Sequence, residues 1–256
     1  MTGLPASSAL AAGDIEIVGR VMPASNATFI GTIDGIQVIY KPVRGERPLW
    51  DFPEGTLAQR EVAAYAVSES LGWNVVPTTI LRDGPHGPGM VQAWAEPDPD
   101  RAPVDIVGVS DQPAGFLHVL DALGPEDEPV SLVHADDPGL RRMALFDVLI
   151  NNGDRKGGHV IAMPDGHCYG VDHGVAFHVD NKLRSVLWGW VGEAITDTES
   201  AAIEATLVDD ALDDRLDDLI TPDELAAFRA RGRALLESGI FPTPSGDWPA
   251  IPWPAF

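Results

Sequence analysis

Asn151-Asn152-Gly153-Asp154-Arg155-Lys156-Gly157-Gly158-His159 is the stretch on which the reading of this chain turns. It follows a helical pattern and precedes a strand pattern. Asp137 as N-cap and Pro138 at the first helical position open a helix through 150, with Leu140, Met143, Ala144 and Leu149 as its apolar side. Downstream, 159–163 and 167–171 flank Pro164-Asp165-Gly166 and predict a hairpin. The stretch itself is too polar to be expected inside the core and belongs at a surface or in a cleft. Eighteen residues after Asp154, at the end of the second hairpin strand, stands Val171-Asp172-His173-Gly174. The hairpin can therefore bring Asp154, His159 and Asp172 to one mouth. Two carboxylates and a metal-competent side chain there suit Mg²⁺–phosphate chemistry, because hard cations take oxygen ligands and a free carboxylate can receive a hydroxyl proton. Spacing alone is equally compatible with a glycine-rich loop and an Asp helix cap.

Upstream, the apolar runs 27–33 and 36–41 are separated by Asp34-Gly35, a dipeptide suited to positive φ at both centres of a tight turn. A further strand is expected at 15–21. Thr56 with Gln59 has the pattern of a capping box, and Leu57, Ala64, Val67 and Leu71 recur at helical spacing until Gly72, which predicts an amphipathic helix over 57–71. Strand-like composition resumes at 75–81 and 89–95. The order is strands, one helix, strands, which predicts a small sheet-based lobe over 14–95. Lys41 lies on an otherwise apolar strand and would be costly to bury unpaired, and Glu61 on the next helix is an available counter-charge. A lysine snorkelling from an edge strand is the other reading. Ser25 to Thr28 offer small side chains that would let backbone N–H groups approach phosphate oxygens, although glycines are missing there.

Glu96-Pro97-Asp98-Pro99-Asp100 breaks both periodicities and reads as a connector. The Pro- and Asp-rich stretch from there to about 137 is expected to hold weak helical segments. Helices over 198–219 and 222–238 follow, the second opened by Thr221-Pro222-Asp223-Glu224 and closed by Gly239. A mainly helical larger lobe over 96–240 and a tail over 241–256 complete the expected single domain. Five prolines and two tryptophans in that tail make it a lobe-packing strap or a lid. The whole is an α+β protein of two lobes. Residues 197–224 hold eleven acids against Arg215 and read as a solvated acidic face. The histidines contain no HExxH, which argues against a zinc hydrolase, and Cys168 reads as strand packing.

Seventeen Lys and Arg against 39 Asp and Glu leave a formal charge of −22, which repels nucleic acid and anionic lipid. The one cysteine permits no internal disulfide, no basic n-region opens the sequence, and no apolar run approaches a membrane span. The expectation is a cytoplasmic protein with no nucleic-acid partner and no integral membrane segment.

These motifs together resemble the phosphatidylinositol 3- and 4-kinase-like group of atypical kinases, with HipA-type protein kinases as more distant relatives. Gly153-Asp154-Arg155 resembles that group's catalytic loop, and Asp172-His173-Gly174 its metal motif at the same interval. Val38-Ile39-Tyr40-Lys41-Pro42 is similar to the strand bearing the ATP lysine, and Arg60-Glu61-Val62-Ala63-Ala64-Tyr65 to the helix whose glutamate pairs with it. Ser25-Asn26-Ala27-Thr28-Phe29 stands where the group has its phosphate-covering loop. A closer likeness still is to an actinobacterial family described only as kinase-like.

The resemblance implies a bilobal kinase-like fold with ATP and Mg²⁺ or Mn²⁺ between the lobes. It implies Asp154 as base or hydroxyl orienter and Asp172 and His159 as metal ligands. Lys41 would lie on the phosphates and Glu61 would orient it. Ser25 and Asn26 would cover the phosphates, and the strand leading into Glu96 would form the hinge, with Trp94 either a wall for adenine or a core residue. Arg155 falls in the catalytic motif and is expected to brace its loop. Two positions depart from the pattern: His159 stands in place of an asparagine, and Lys156 in place of a histidine. A histidine nitrogen suits Mn²⁺ or Zn²⁺ better than Mg²⁺. The implied reaction moves the γ-phosphoryl group to a hydroxyl of a protein, a small polyol or an inositol lipid. AMP transfer at the same site and a nucleotide-binding pseudokinase regulating a partner are the alternatives.

Overall fold

Asp34 and Gly35 both take positive φ, 49° and 83°, so their turn matches the right-handed twist of the strands it joins. Those strands belong to a sheet that fixes the smaller lobe. After a short helix α1 (Ser7–Ala11), β1 (Glu16–Arg20), β2 (Phe29–Ile33), β3 (Ile36–Pro42), β4 (Thr79–Gly84) and β5 (Gly87–Ala93) form an antiparallel sheet in the order β1-β2-β3-β5-β4. Alternation along β3 sends Val38 and Tyr40 into a small core with Leu10, Ile33 and Val91. Ile39 and Lys41 therefore project from the other face. The computed structural model describes residues 3–22, 26–47, 49–52, 56–246 and 248–256. Ser25, expected at the phosphate-covering loop, lies outside the described residues.

Between β3 and β4 runs α2 (Leu57–Ser70), with ten of its fourteen residues buried. The expected amphipathic helix is instead covered on most sides, and four alanines keep it slim enough to lie between the sheet and the larger lobe. Its N-terminus also differs from expectation. Thr56 makes no cap; the Glu46 carboxylate accepts from the N–H groups of Leu57 (3.1 Å) and Ala58 (2.8 Å), and the Thr56 hydroxyl accepts from Arg60 Nε. A carboxylate from another segment satisfies the orphan donors as well as a local hydroxyl would.

The stretch expected to be weakly helical is a three-stranded antiparallel sheet, β6 (Val104–Gly108), β7 (Phe116–Leu123) and β8 (Pro129–Ala135), in the order β6-β8-β7. β7 is exposed over half its length and bulged, so its apolar alternation is weak; pairing with β8 makes the strand. The predicted helix follows as α3 (Pro138–Ile150), with the Asp137 side chain accepting from Gly139 and Leu140 N–H. The short hairpin β9 (Val160–Ala162) and β10 (Cys168–Gly170) comes next, then α4 (Asp197–Leu207), α5 (Asp210–Leu216) and α6 (Pro222–Ser238). Where one helix was expected over 198–219 there are two, because Asp209 accepts from Ala211 and Leu212 N–H and restarts the helix. Asp209 also takes the Ser70 hydroxyl, while Glu199 receives Arg141 Nε and Glu224 receives Arg60 Nη2. The acidic stretch is thus partly structural rather than wholly a solvated face.

The described part of the tail is a strap. The Ala250 carbonyl accepts from Ser185 N–H and Trp188 Nε1, the Ala255 carbonyl accepts from Gly157 N–H, and Ile251 and Ala255 pack on the main core. Among the described residues no helix is long and apolar enough to cross a membrane.

His134 on β8 is fully buried in one tautomer: Nδ1–H donates to its neighbour's Ala135 carbonyl (3.0 Å) and Nε2 accepts from Gly189 N–H (2.9 Å). Burial holds its pKa below the ordinary 6.5. The folded state therefore refuses a proton that the unfolded chain accepts. Its contribution should be intact above about pH 7 and fall below about pH 6.5, by up to about 1.4 kcal/mol per pH unit. Urea melts at about pH 7.5 and 5.5 test this: His134→Asn should lose less stability between the two than the native chain, and an equal loss would remove His134 from the effect.

Candidate active site

The end of α3 sets the site. Asn151 closes the helix in the left-handed region (φ 55°), which asparagine tolerates, and its side chain is wholly consumed. Nδ2 donates to the carbonyls of His178 (2.8 Å) and Asp180 (2.7 Å), and Oδ1 accepts from Lys182 N–H (2.9 Å). Asn152 is paired as well, donating to Asp147 Oδ1 and accepting from Asp154 N–H. Both amides and Arg155 are buried, contrary to the expectation that so polar a stretch stays at a surface. Polarity does not prevent burial when every group has a partner.

Arg155 is the centre of this arrangement. Nε and Nη2 bind Asp147 Oδ2 (2.8 Å) and Oδ1 (2.9 Å), Nη2 also reaches His173 Nε2 (2.6 Å), and Nη1 donates to the carbonyls of His159 (3.1 Å) and Val171 (3.2 Å). All five guanidinium donors are satisfied. Gly170 has no Cβ, and one placed there would lie 2.9 Å from Nη2. Arg155 lines no part of the cleft, and its bonds tie both motif loops together. His173 is neutral: burial, and then the nearby guanidinium, hold its pKa well below 6.5.

On this support Lys41, Glu61 and Asp172 come together. Lys41 Nζ lies 2.7 Å from Glu61 Oε1 and 2.8 Å from Asp172 Oδ1, while Glu61 Oε2 accepts from His173 N–H (2.9 Å). Burial works against the ammonium, but the Asp172 and Glu61 carboxylates outweigh it and raise the Lys41 pKa. In turn Lys41 holds the Asp172 carboxyl below the usual carboxylate range. Asp172 adopts φ 63°, a conformation open to aspartate and costly for most other side chains.

His159 Nδ1 sits 2.9 Å from the Asp154 carbonyl and must donate to it. Nε2, left with its lone pair, lies 3.5 Å from Asp172 Oδ2, the oxygen that Lys41 does not take. Burial lowers the His159 pKa and favours this neutral form. Asp154 is partly exposed, with Oδ2 3.3 Å from Lys156 Nζ.

The Lys41–Asp172 bridge divides one cleft into two parts, and Asn26 borders both. The part beneath the sheet, about 500 Å³, is walled by Val21, Ile39, Ile161 and Val171 and reaches Ala93, Trp94 and Ala95 where β5 leaves the sheet. Trp94 lines it. Glu96 does not; its carboxylate accepts from the Trp94 indole (2.6 Å). The other part, about 320 Å³, is bordered by Asp154, Arg47 and Arg184.

Sequence reasoning missed Asp147 and Glu46. The first had a signal: an acid inside Leu145-Phe146-Asp147-Val148-Leu149-Ile150 needs a buried partner. Glu46 had none, since nothing local ties it to α2.

A five-stranded antiparallel sheet with one helix, joined to a helical lobe across a cleft, is the bilobal α+β architecture of protein-kinase-like proteins. No family profile matches the chain. It is 48% identical over 264 aligned residues to Protein Rv2133c of Mycobacterium tuberculosis, covering 96% of this chain and 94% of that one, and it belongs to the same family. Among solved structures, the Helicobacter pylori proinflammatory kinase CtkA is similar with a TM-score of 0.48 and 10% identity, covering 91% of this chain and 94% of that one.

Because the Asp147–Arg155 pair is fully buried, removing one partner strands the other. Asp147→Asn should cost about 3–5 kcal/mol in chemical denaturation. A loss under about 1 kcal/mol would show that the clamp does not organise the loop.

Proposed function

We propose that this protein is an ATP-dependent phosphotransferase of the atypical, phosphatidylinositol 3-/4-kinase-like type, acting on a hydroxyl acceptor. The observation that carries this reading is the Lys41 ammonium held between Glu61 and Asp172 at one side of a slot with mainly apolar walls. A half-buried cation with a fixed partner on one side and an exchangeable, half-exposed one on the other is suited to receive phosphate oxygens. The slot's apolar walls and the β5 exit suit adenine, with Trp94 beside it.

In this reading Asp154 orients the acceptor hydroxyl and takes its proton. The acceptor oxygen bonds to the γ-phosphorus while the bond from that phosphorus to the bridging oxygen breaks, its electron pair leaving with ADP. Lys41 steadies the phosphates, Glu61 fixes Lys41, and Lys156 beside Asp154 adds positive charge where the transferring group passes. Among the described residues no group of three or more His, Cys, Asp or Glu side chains converges as a metal cage. The fit is instead to a cation that brings phosphate oxygens with it, held by Asp172 Oδ2 and by His159 Nε2, whose tautomer the Asp154 carbonyl sets. Such an ion, Mg²⁺ or Mn²⁺, would neutralise charge on the phosphates.

The test is incubation with ATP labelled at the γ or the α position, in Mg²⁺ or Mn²⁺, with a cell extract as acceptor source. γ-label should enter an acceptor. Asp154→Asn should leave nucleotide affinity intact and slow transfer by roughly 10²–10⁴, whereas Lys41→Ala should weaken nucleotide binding; normal ATP binding by Lys41→Ala would overturn the reading. Transfer of α-label would reassign the site to AMP transfer.

A second measurement addresses His159. The native chain should favour Mn²⁺ over Mg²⁺, and His159→Asn should move the preference toward Mg²⁺. The same Mg²⁺/Mn²⁺ ratio in both proteins would exclude His159 as a ligand.

A further inference from the structure

The cleft continues past the Lys41–Asp172 bridge into the 320 Å³ pocket beside Asp154, where three cations, Lys41, Arg47 and Arg184, stand among the carboxylates, a more even balance than in the chain as a whole. Acids outnumber bases 39 to 17 in the sequence. Four carboxylates border this pocket, but three are already engaged: Glu46 caps α2, Glu61 binds Lys41 and His173 N–H, and Asp172 binds Lys41.

The cations are differently placed. Arg47 stands exposed at the border, its backbone N–H held by Asn26 Oδ1 (2.9 Å). Arg184 donates Nε to the Gly153 carbonyl (2.6 Å), which fixes its guanidinium next to Asp154 and leaves both Nη groups unclaimed by any hydrogen bond among the described residues. Lys182, two residues before it, rests its ammonium over the rings of Trp248 (3.8 Å) and Trp50 (4.7 Å), and Arg184 shares the Trp248 ring at 5.8 Å. No carboxylate of the described residues lies within 4 Å of any of these three cations. An arginine anchored through Nε presents its remaining N–H fork to the planar or tetrahedral oxygens of an anion.

We propose that this pocket is the acceptor site, and that the acceptor is a small hydroxyl compound bearing an anionic group, a phosphate monoester or carboxylate. Arg184 and Arg47 grip the anion while the hydroxyl meets Asp154. The inference rests on the phosphotransfer reading, in which that hydroxyl oxygen bonds to the γ-phosphorus, its proton passes to Asp154, and ADP leaves with the electron pair of the broken bond. A volume of about 320 Å³ matches a small molecule rather than a folded partner.

The experiment has two arms. In the first, the small-molecule fraction of a cell extract and vesicles of phosphatidylinositol in phosphatidylcholine are each labelled from γ-labelled ATP, and the labelled product is compared by mass with its precursor. The precursor should be soluble and retained by an anion-exchange resin at neutral pH, and Arg47→Gln and Arg184→Gln should each raise its KM at least tenfold while nucleotide affinity stays within twofold. A neutral precursor, label in protein or only in vesicles, or unchanged KM values overturn the proposal and leave the phosphotransfer reading standing. The second arm needs no turnover: glycerol 3-phosphate should raise the thermal midpoint of the ATP-bound chain, glycerol should not, and Arg47→Gln, at an exposed position, should abolish the shift. If no label moves to any acceptor, the phosphotransfer reading fails, and the glycerol 3-phosphate shift alone then decides whether the pocket takes anions.

Discussion

One arginine inside the larger lobe holds the candidate site in shape. Arg155 spends its five donors on α3 through Asp147, on the 154–159 loop through the His159 carbonyl, and on the segment after β10 through Val171 and His173. Three separate stretches of chain are referred to one planar group with fixed angles. Neither loop can shift without leaving a buried donor unpaired, a cost of about 1–3 kcal/mol for each neutral group and more where charge is involved. A lysine at this position could not reproduce the geometry, having three donors on a point charge rather than five in a fork.

From that reference the rest of the site follows by short steps. The Asp154 carbonyl, held by its loop, fixes the tautomer of His159; His173 N–H, held by its ring's bond to Arg155, fixes Glu61; and Glu61 fixes Lys41. The last step crosses between lobes. Glu61 on α2 and Lys41 on β3 belong to the smaller lobe and His173 to the larger, so the ion pair and the lobe contact are one interaction. A second contact runs parallel to it, from Arg60 to the Ala176 carbonyl (2.6 Å) and Glu224 on α6. Both are anchored on neighbouring residues of α2, so that helix ties the two lobes together.

Electrostatics sharpen the contrast between the site and its surroundings. A chain carrying −22 formal charge repels anions over most of its surface, and long-range attraction would not draw a nucleotide such as the proposed ATP to it. In the proposed function, binding would come from local groups in a partly desolvated cleft, where a few paired charges count for more than the average field. Lys41, Lys156, Arg47 and Arg184 line the cleft and would supply them from separate segments of the chain. Strap contacts at Gly157 and Ser185 tie two of those segments to the tail.

Local chemistry was readable in the sequence. Asp34-Gly35 specified its turn because few other dipeptides accept positive φ twice, Asp137-Pro138 specified the start of α3, and Thr221 with Glu224 specified that of α6. Each involves groups within a few residues of one another, so the physics is contained in the string. Order and type of the elements around Lys41, Glu61, Asp154 and Asp172 were legible for the same reason, and with them the two-lobed α+β class. What the string could not hold was any term whose partner lies far away. The three strands of 104–135 exist through pairing with one another, and Glu46 rather than Thr56 caps α2 because the chain returns there. Asn151, Asn152 and Arg155 look too polar to bury and are buried, since Asp147, His173 and carbonyls 27–29 residues distant complete their hydrogen bonds. Sequence set which groups were present; tertiary structure decided which were paired, and therefore which remain free to bind.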